Sequence, residues 1–138
     1  MKYNELLSIG KEFLREAEIE DADTDAGILL EYLTGMDRQK ILLQGDEEAD
    51  NPDLEADYRK LLTERASHKP VQYITGMADF MGLRFYVNES VLIPRFDTEF
   101  LVEEMMREVG DGSSVLDMCT GSGCIILSLM RYKNGIQG

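Results

Sequence analysis

Apolar positions in the first 66 residues recur at the three-to-four-residue spacing of helices. Leu6, Leu7, Phe13, Leu14 and Ala17 form the first such group, with Asn4 available as an N-cap. An acidic break from Glu18 to Asp25 precedes a second group, Ile28, Leu29, Tyr32 and Leu33, and Gly35 stands where a C-cap would close that helix. Asp37 can cap a short third helix through Leu43, closed by Gly45. Asn51-Pro52 joins a capping side chain to the residue favoured at the first helical position. Leu54, Tyr58, Leu61, Leu62 and Arg65 then share one face of a fourth helix. No alternation of the strand type appears before residue 70, so this part reads as a small helical bundle.

The pattern changes at Lys69-Pro70. Val71-Gln72-Tyr73-Ile74 is β-prone; Leu83, Phe85 and Val87 alternate with Arg84 and Tyr86; Val91-Leu92-Ile93 follows a turn-like Asn88-Glu89-Ser90 and stops at Pro94. Residues 71–93 therefore read as hairpin-like strands. From Asp97 the helical period returns in Phe100, Leu101, Glu104, Met105 and Val109, closed by Gly110-Asp111-Gly112. A short apolar strand, Ser114 to Met118, then runs through small residues into a helix from Ile125 to Met130. The expected architecture is α+β: a helical bundle over 1–68, a hairpin-type linker over 69–95, and over 96–138 the first βα unit of a Rossmann-like sheet.

Charge narrows the function classes. The 138 residues carry 27 Asp and Glu against 14 Lys and Arg, a formal net charge of −13. Of these, 18 acids and 9 bases fall in residues 1–70. Binding to nucleic acid or anionic lipid needs clustered cations, so a polyanion surface is not expected. The longest uncharged stretch, the 13 residues from Met118 to Met130, is too short to span a bilayer. Two cysteines, Cys119 and Cys124, make no disulfide framework and, with one histidine, fall short of a zinc set. The expectation is an acidic cytoplasmic protein with reduced thiols. His68 reads as a solvent-facing helix end, since no acid or nucleophile partner is identifiable for it.

The window that carries chemistry is Val115 to Ile126. It sets an acid, Asp117, at the end of a strand, then Cys119, Thr120, Gly121, Ser122 and Gly123, then an apolar helix. Gly121 and Gly123 let backbone approach a ligand and take positive φ, and the free N–H groups of the following helix face the same place. Ligands of open α/β sheets bind beyond the carboxyl ends of strands, where Asp117 sits. A carboxylate there repels a phosphate but favours a ligand bearing an ammonium and a sulfonium. S-adenosylmethionine is such a ligand.

Residues 69–131 resemble the HemK-type protein glutamine methyltransferases, which modify peptide chain release factors. The matching pieces are Lys69-Pro70-Val71-Gln72-Tyr73-Ile74-Thr75-Gly76, Phe80-x-Gly82-x-x-Phe85-x-Val87, and the Asp117–Gly123 loop. The most specific is Val91-Leu92-Ile93-Pro94-Arg95-x-Asp97-Thr98-Glu99-x-Leu101-Val102-Glu103. The resemblance implies methyl transfer from S-adenosylmethionine to the glutamine amide nitrogen in a release factor's Gly-Gly-Gln. It implies Cys119–Gly123 against the methionine and adenosine parts of the cofactor, and Asp117 near its ammonium. The helical part would dock the release factor. Arg95 is a candidate to support the cofactor carboxylate, the alternative being a cap on nearby backbone.

The chain departs from the family at Cys119, where glycine is frequent, and at Phe96, where proline is. The 138 residues also hold no second-strand acid for the ribose and no Asn-Pro-Pro-Tyr to grip the substrate amide. The expectation is an N-terminal fragment, inactive by itself. Two other functions stay open: an adenine-directed nucleic acid methyltransferase, which shares the Asn-Pro-Pro-Tyr type of site, and a non-catalytic protein-binding helical module.

Overall fold

A computed structural model describes all of residues 1–138. The chain folds as two compact units, Met1–Thr75 and Gly76–Gly138. The first contains α1 (Tyr3–Glu16), α2 (Ala22–Thr34), α3 (Arg38–Leu43), α4 (Leu54–Ala66) and α5 (Val71–Thr75). The second contains β1 (Met77–Phe80), β2 (Leu83–Tyr86), α6 (Thr98–Glu108) and α7 (Cys124–Tyr132). No helix is long and apolar enough to cross a membrane.

In the helical unit α1, α2 and α4 pack on one another around Leu6, Leu14, Leu29, Leu30, Tyr58 and Leu62, all fully buried. Each such leucine is worth about 1.5–3 kcal/mol relative to exposure. Tyr58 donates its hydroxyl hydrogen to the Ala26 carbonyl at 2.8 Å, and burial pushes its pKa well above that of a free phenol. The ring crosses α1 at Gly10, the one place on that helix without a side chain to obstruct it. Arg65, on the apolar face of α4, reaches the buried Asp25 of α2 through Nε at 2.6 Å.

Two helix ends are as the sequence indicates. The Asp37 carboxylate accepts the Lys40 N–H at 2.8 Å, and α2 ends at Gly35 with φ +66°. Two others differ. Asn4 lies inside α1, with its Nδ2 donating to Asp46; the N-cap is Lys2, whose N–H donates to Glu5 at 2.9 Å. Asn51 does accept a backbone hydrogen, from Asp53, but α4 starts at Leu54 rather than at Pro52.

Val71-Gln72-Tyr73-Ile74 is a helix, not the expected strand. The Pro70 carbonyl accepts the N–H groups of Tyr73 and Ile74. Val71 is buried in the helical core and Ile74 packs against it. These two residues, three apart, share a face only as a helix. Strand propensity spans only about 1 kcal/mol, so burial decides.

In the second unit β1 and β2 form an antiparallel hairpin, with Ala78 opposite Phe85 and Phe80 opposite Leu83. One face turns Phe80 and Phe85 into a core with Val102, Cys124 and Leu129. The other exposes the cross-strand pair Asp79–Arg84. The alternation from Leu83 to Tyr86 is thus a strand, but Val91-Leu92-Ile93 lies outside the strands, with Leu92 73% exposed. The inward stripe of α6 also differs from the expected one. Val102, Met105 and Met106 face the core, whereas Phe100 and Leu101 face outward and Phe100 meets Phe96 edge to face at 6.1 Å.

Ser114–Met118 makes no regular strand, and Met118 already lies in a turn. Its pairing is a single parallel bridge, Ser114 to Gln137, with the Val115 N–H on the Gln137 carbonyl at 2.7 Å and the Gln137 N–H on the Ser113 carbonyl at 3.0 Å. Leu116 and Met118 are exposed. Strand geometry persists where a neighbour satisfies the backbone groups, and here that neighbour pairs at one place. The sheet of the unit is therefore the two-stranded hairpin, in a mixed α/β chain.

Candidate cofactor-binding site

Residues 117–123 form a tight bend that leads into α7. The Asp117 carboxylate is turned into the bend, where Oδ2 accepts the Thr120 hydroxyl hydrogen at 2.9 Å. The Gly123 N–H donates to the Thr120 carbonyl, also at 2.9 Å. Three residues are left-handed: Cys119 at φ +59°, Gly121 at +58° and Gly123 at +80°. Gly123 is the N-cap of α7, and a Cβ added there would lie 3.1 Å from Leu127 Cδ1. At Gly121 the same addition would meet only open space, so this part of the bend is bare backbone.

The bend thus holds Asp117, Cys119, Thr120, Gly121, Ser122 and Gly123, the residues the sequence singles out, with the Cys119 side chain exposed. Its electrostatics are two-sided. Asp117 supplies a negative charge. The opening turn of α7 supplies N–H groups with no acceptor inside the helix and the positive end of its dipole. A zwitterionic ligand bearing both an ammonium and a carboxylate suits such a place, and the amino acid part of S-adenosylmethionine is one.

Arg95 is not drawn into the bend. Its side chain is largely exposed and its nearest charged partner is Asp97, at 3.9 Å. His68 is exposed and left-handed, φ +66°, one residue beyond the C-cap of α4. Cys124 is buried in the core at the start of α7, while Cys119 is exposed, and both are free thiols.

Cys119 carries a cost that glycine would not. A non-glycine residue in the left-handed region loses about 1 kcal/mol relative to its preferred conformations. Cys119→Gly is therefore expected to leave the bend intact and to raise local stability, read as slower hydrogen exchange of the Gly121 and Gly123 amides. Faster exchange would mean that the thiol side chain holds the bend.

Sequence comparison places the helical unit. Residues 5–76 match the PrmC N-terminal domain. The chain belongs to this family. It is similar to a release factor glutamine methyltransferase of Leptospira interrogans, 42% identical over 128 residues, covering 90% of this chain and 44% of that one. It is 41% identical over 119 residues to the release factor glutamine methyltransferase of Geobacter sulfurreducens, covering 86% and 42%. With that of Clostridium acetobutylicum the identity is 36% over 139 residues, 99% of this chain and 48% of the relative, an alignment that runs through the 117–123 bend. The chain spans about half the length of these relatives.

The motif resemblance over 69–131 and the family match over 5–76 overlap from Lys69 to Gly76, the first residue of the second unit. Three contacts escape a reading of the sequence: Thr120 on Asp117, Arg65 on Asp25, and the Tyr132 hydroxyl on the Met81 carbonyl at the hairpin turn. Only the second left a signal, an arginine on an otherwise apolar helical face.

Proposed function

We propose that these residues serve a protein that transfers a methyl group from S-adenosylmethionine to the glutamine amide nitrogen of Gly-Gly-Gln in peptide chain release factors. The observation that carries this reading is the Asp117 carboxylate turned by Thr120 into a glycine bend that opens a helix. The family membership and the names of the relatives support it. The parallel pairing of Ser114 with Gln137 on either side of α7 fits the start of a Rossmann-like strand–helix–strand crossover.

When bound, the cofactor supplies a methyl group activated by its sulfonium charge. The chain's own residues bind and orient. Asp117 would hold the ammonium, the backbone of Cys119 to Gly123 would take the methionine and adenosine parts, and the N–H groups opening α7 would take the carboxylate. The helical unit docks the release factor. An amide nitrogen is a weak nucleophile, so much of the rate must come from holding it in line with the methyl group. No Asn-Pro-Pro-Tyr to do this occurs among the 138 residues. Accordingly we expect these residues alone to bind cofactor weakly and to leave a release factor unmodified.

The test is a chimera in which this chain replaces the corresponding first part of the Leptospira relative. Mixed with a release factor and isotopically labelled S-adenosylmethionine, it is expected to place one methyl on the Gly-Gly-Gln glutamine, read by mass spectrometry of the peptide. Asp117→Asn removes one charge-assisted bond and should raise KM for the cofactor by about tenfold or more. A chimera folded by circular dichroism that leaves the glutamine unmodified rejects the reading.

A further inference from the structure

The turn joining β1 to β2 is Met81-Gly82, and both residues are left-handed, at φ +51° and +70°. Two successive left-handed residues give the tight hairpin turn whose twist matches its strands, and Asn, Asp or Gly is the usual first residue. Methionine there is disfavoured. Contacts from outside the hairpin offset this.

Two side chains take both polar groups of Met81. Glu99, in the first turn of α6, accepts its N–H through Oε1 at 2.8 Å. Tyr132, the last residue of α7, donates its hydroxyl hydrogen to the Met81 carbonyl at 2.5 Å. The Met81 side chain packs against the core of Phe80, Val102 and Leu129. In a free hairpin these two peptide groups would face water. The strands are paired without them, and neither side chain belongs to the 117–123 bend.

We infer that Glu99 and Tyr132 are positioning residues that pin the hairpin onto α6 and α7, making the connector to the helical unit part of the body that carries the bend. β1 follows directly on Gly76, the first residue after that unit. α7, whose last residue grips the turn, begins at the bend itself. A release factor docked on the helical unit and presented at the bend is held at two places joined through this connector. The second attachment is then intramolecular, and its effective concentration depends on the stiffness of the connection. Loosening the pins lowers that concentration and leaves the reacting groups untouched. The inference rests on the proposed docking role of the helical unit.

Tyr132→Phe and Glu99→Ala, singly and together in the chimera, test it. KM for the release factor is expected to rise about fivefold in each single variant and further in the pair, the lost effective concentration. Both kcat and KM for S-adenosylmethionine should stay within about twofold, because no group that touches them has changed. Glu99→Gln keeps an oxygen acceptor and should restore most of the parent KM. In the same variants amide exchange from Phe80 to Leu83 should quicken while far-UV circular dichroism is unchanged. Faster exchange with an unchanged KM for the release factor overturns the inference, as does unchanged exchange or an equal fall in every kinetic constant. A parent chimera that folds but transfers no methyl overturns the functional reading and the inference with it.

Discussion

Gly10→Ala should destabilise the helical unit by about 2–4 kcal/mol, against the usual gain of up to about 1 kcal/mol for replacing glycine within a helix. The added Cβ would sit 2.0 Å from the Tyr58 hydroxyl oxygen, 2.7 Å from Cζ and 2.9 Å from Cε1. No rearrangement within the site relieves this, because Tyr58 is fully buried and its hydroxyl is committed to the Ala26 carbonyl. Either α1 moves away from α4, opening the core at Leu6 and Leu14, or the ring withdraws and leaves a buried carbonyl without its donor, costing about 1–3 kcal/mol. Urea unfolding followed by circular dichroism measures the effect. Adding Tyr58→Phe to Gly10→Ala removes the closest atom and should recover part of the loss, so the two changes are not additive. A stabilised Gly10→Ala protein would show that α1 and α4 do not approach in this way.

Asp25→Ala should cost about 3 kcal/mol, the lower end of the range for breaking a buried ion pair. The Asp25 side chain is 7% exposed and that of Arg65 16%, so the stranded guanidinium would be held largely out of water. Its remaining bond is weaker, Nη1 to the Lys69 carbonyl at 3.2 Å. That bond ties the end of α4 to the chain just before Pro70, so losing Asp25 should also loosen the start of α5. Asp25→Ala combined with Arg65→Met removes both charges and should be more stable than Asp25→Ala alone, since an apolar pair of similar volume often replaces a buried ion pair without loss. A double variant no more stable than the single one would assign the cost of Asp25→Ala to packing rather than to the stranded charge.

Much of the candidate site is legible along the chain because its requirements are local. A left-handed bend needs residues such as Gly121 and Gly123, a helix opening needs a cap, and both lie within a few residues of Asp117. The Asp117–Thr120 bond spans three residues, and even so the spacing does not reveal it: a hydroxyl in a run of small residues has many partners open to it. Arg95 shows the opposite case. Its place before Asp97 follows from the sequence, but its partner depends on which side of the chain it leaves.

The amphipathic spacing of Leu6, Leu14, Leu29, Tyr58 and Leu62 by itself determined that the first part is a helical bundle, since one face of each helix must be buried. Residue type at single positions determined the caps at Asp37 and Gly35 and the glycine bend after Asp117. Tertiary structure alone decided that Val71–Thr75 is helical, that Asp25 lies buried against Arg65, that α6 turns Val102 inward in place of Phe100, and that Glu99 and Tyr132 meet at Met81. The separation has a physical cause. Backbone geometry and capping act between residues three or four apart, whereas burial and long-range hydrogen bonds join residues such as Asp25 and Arg65 or Met81 and Tyr132, whose meeting depends on every element folded between them.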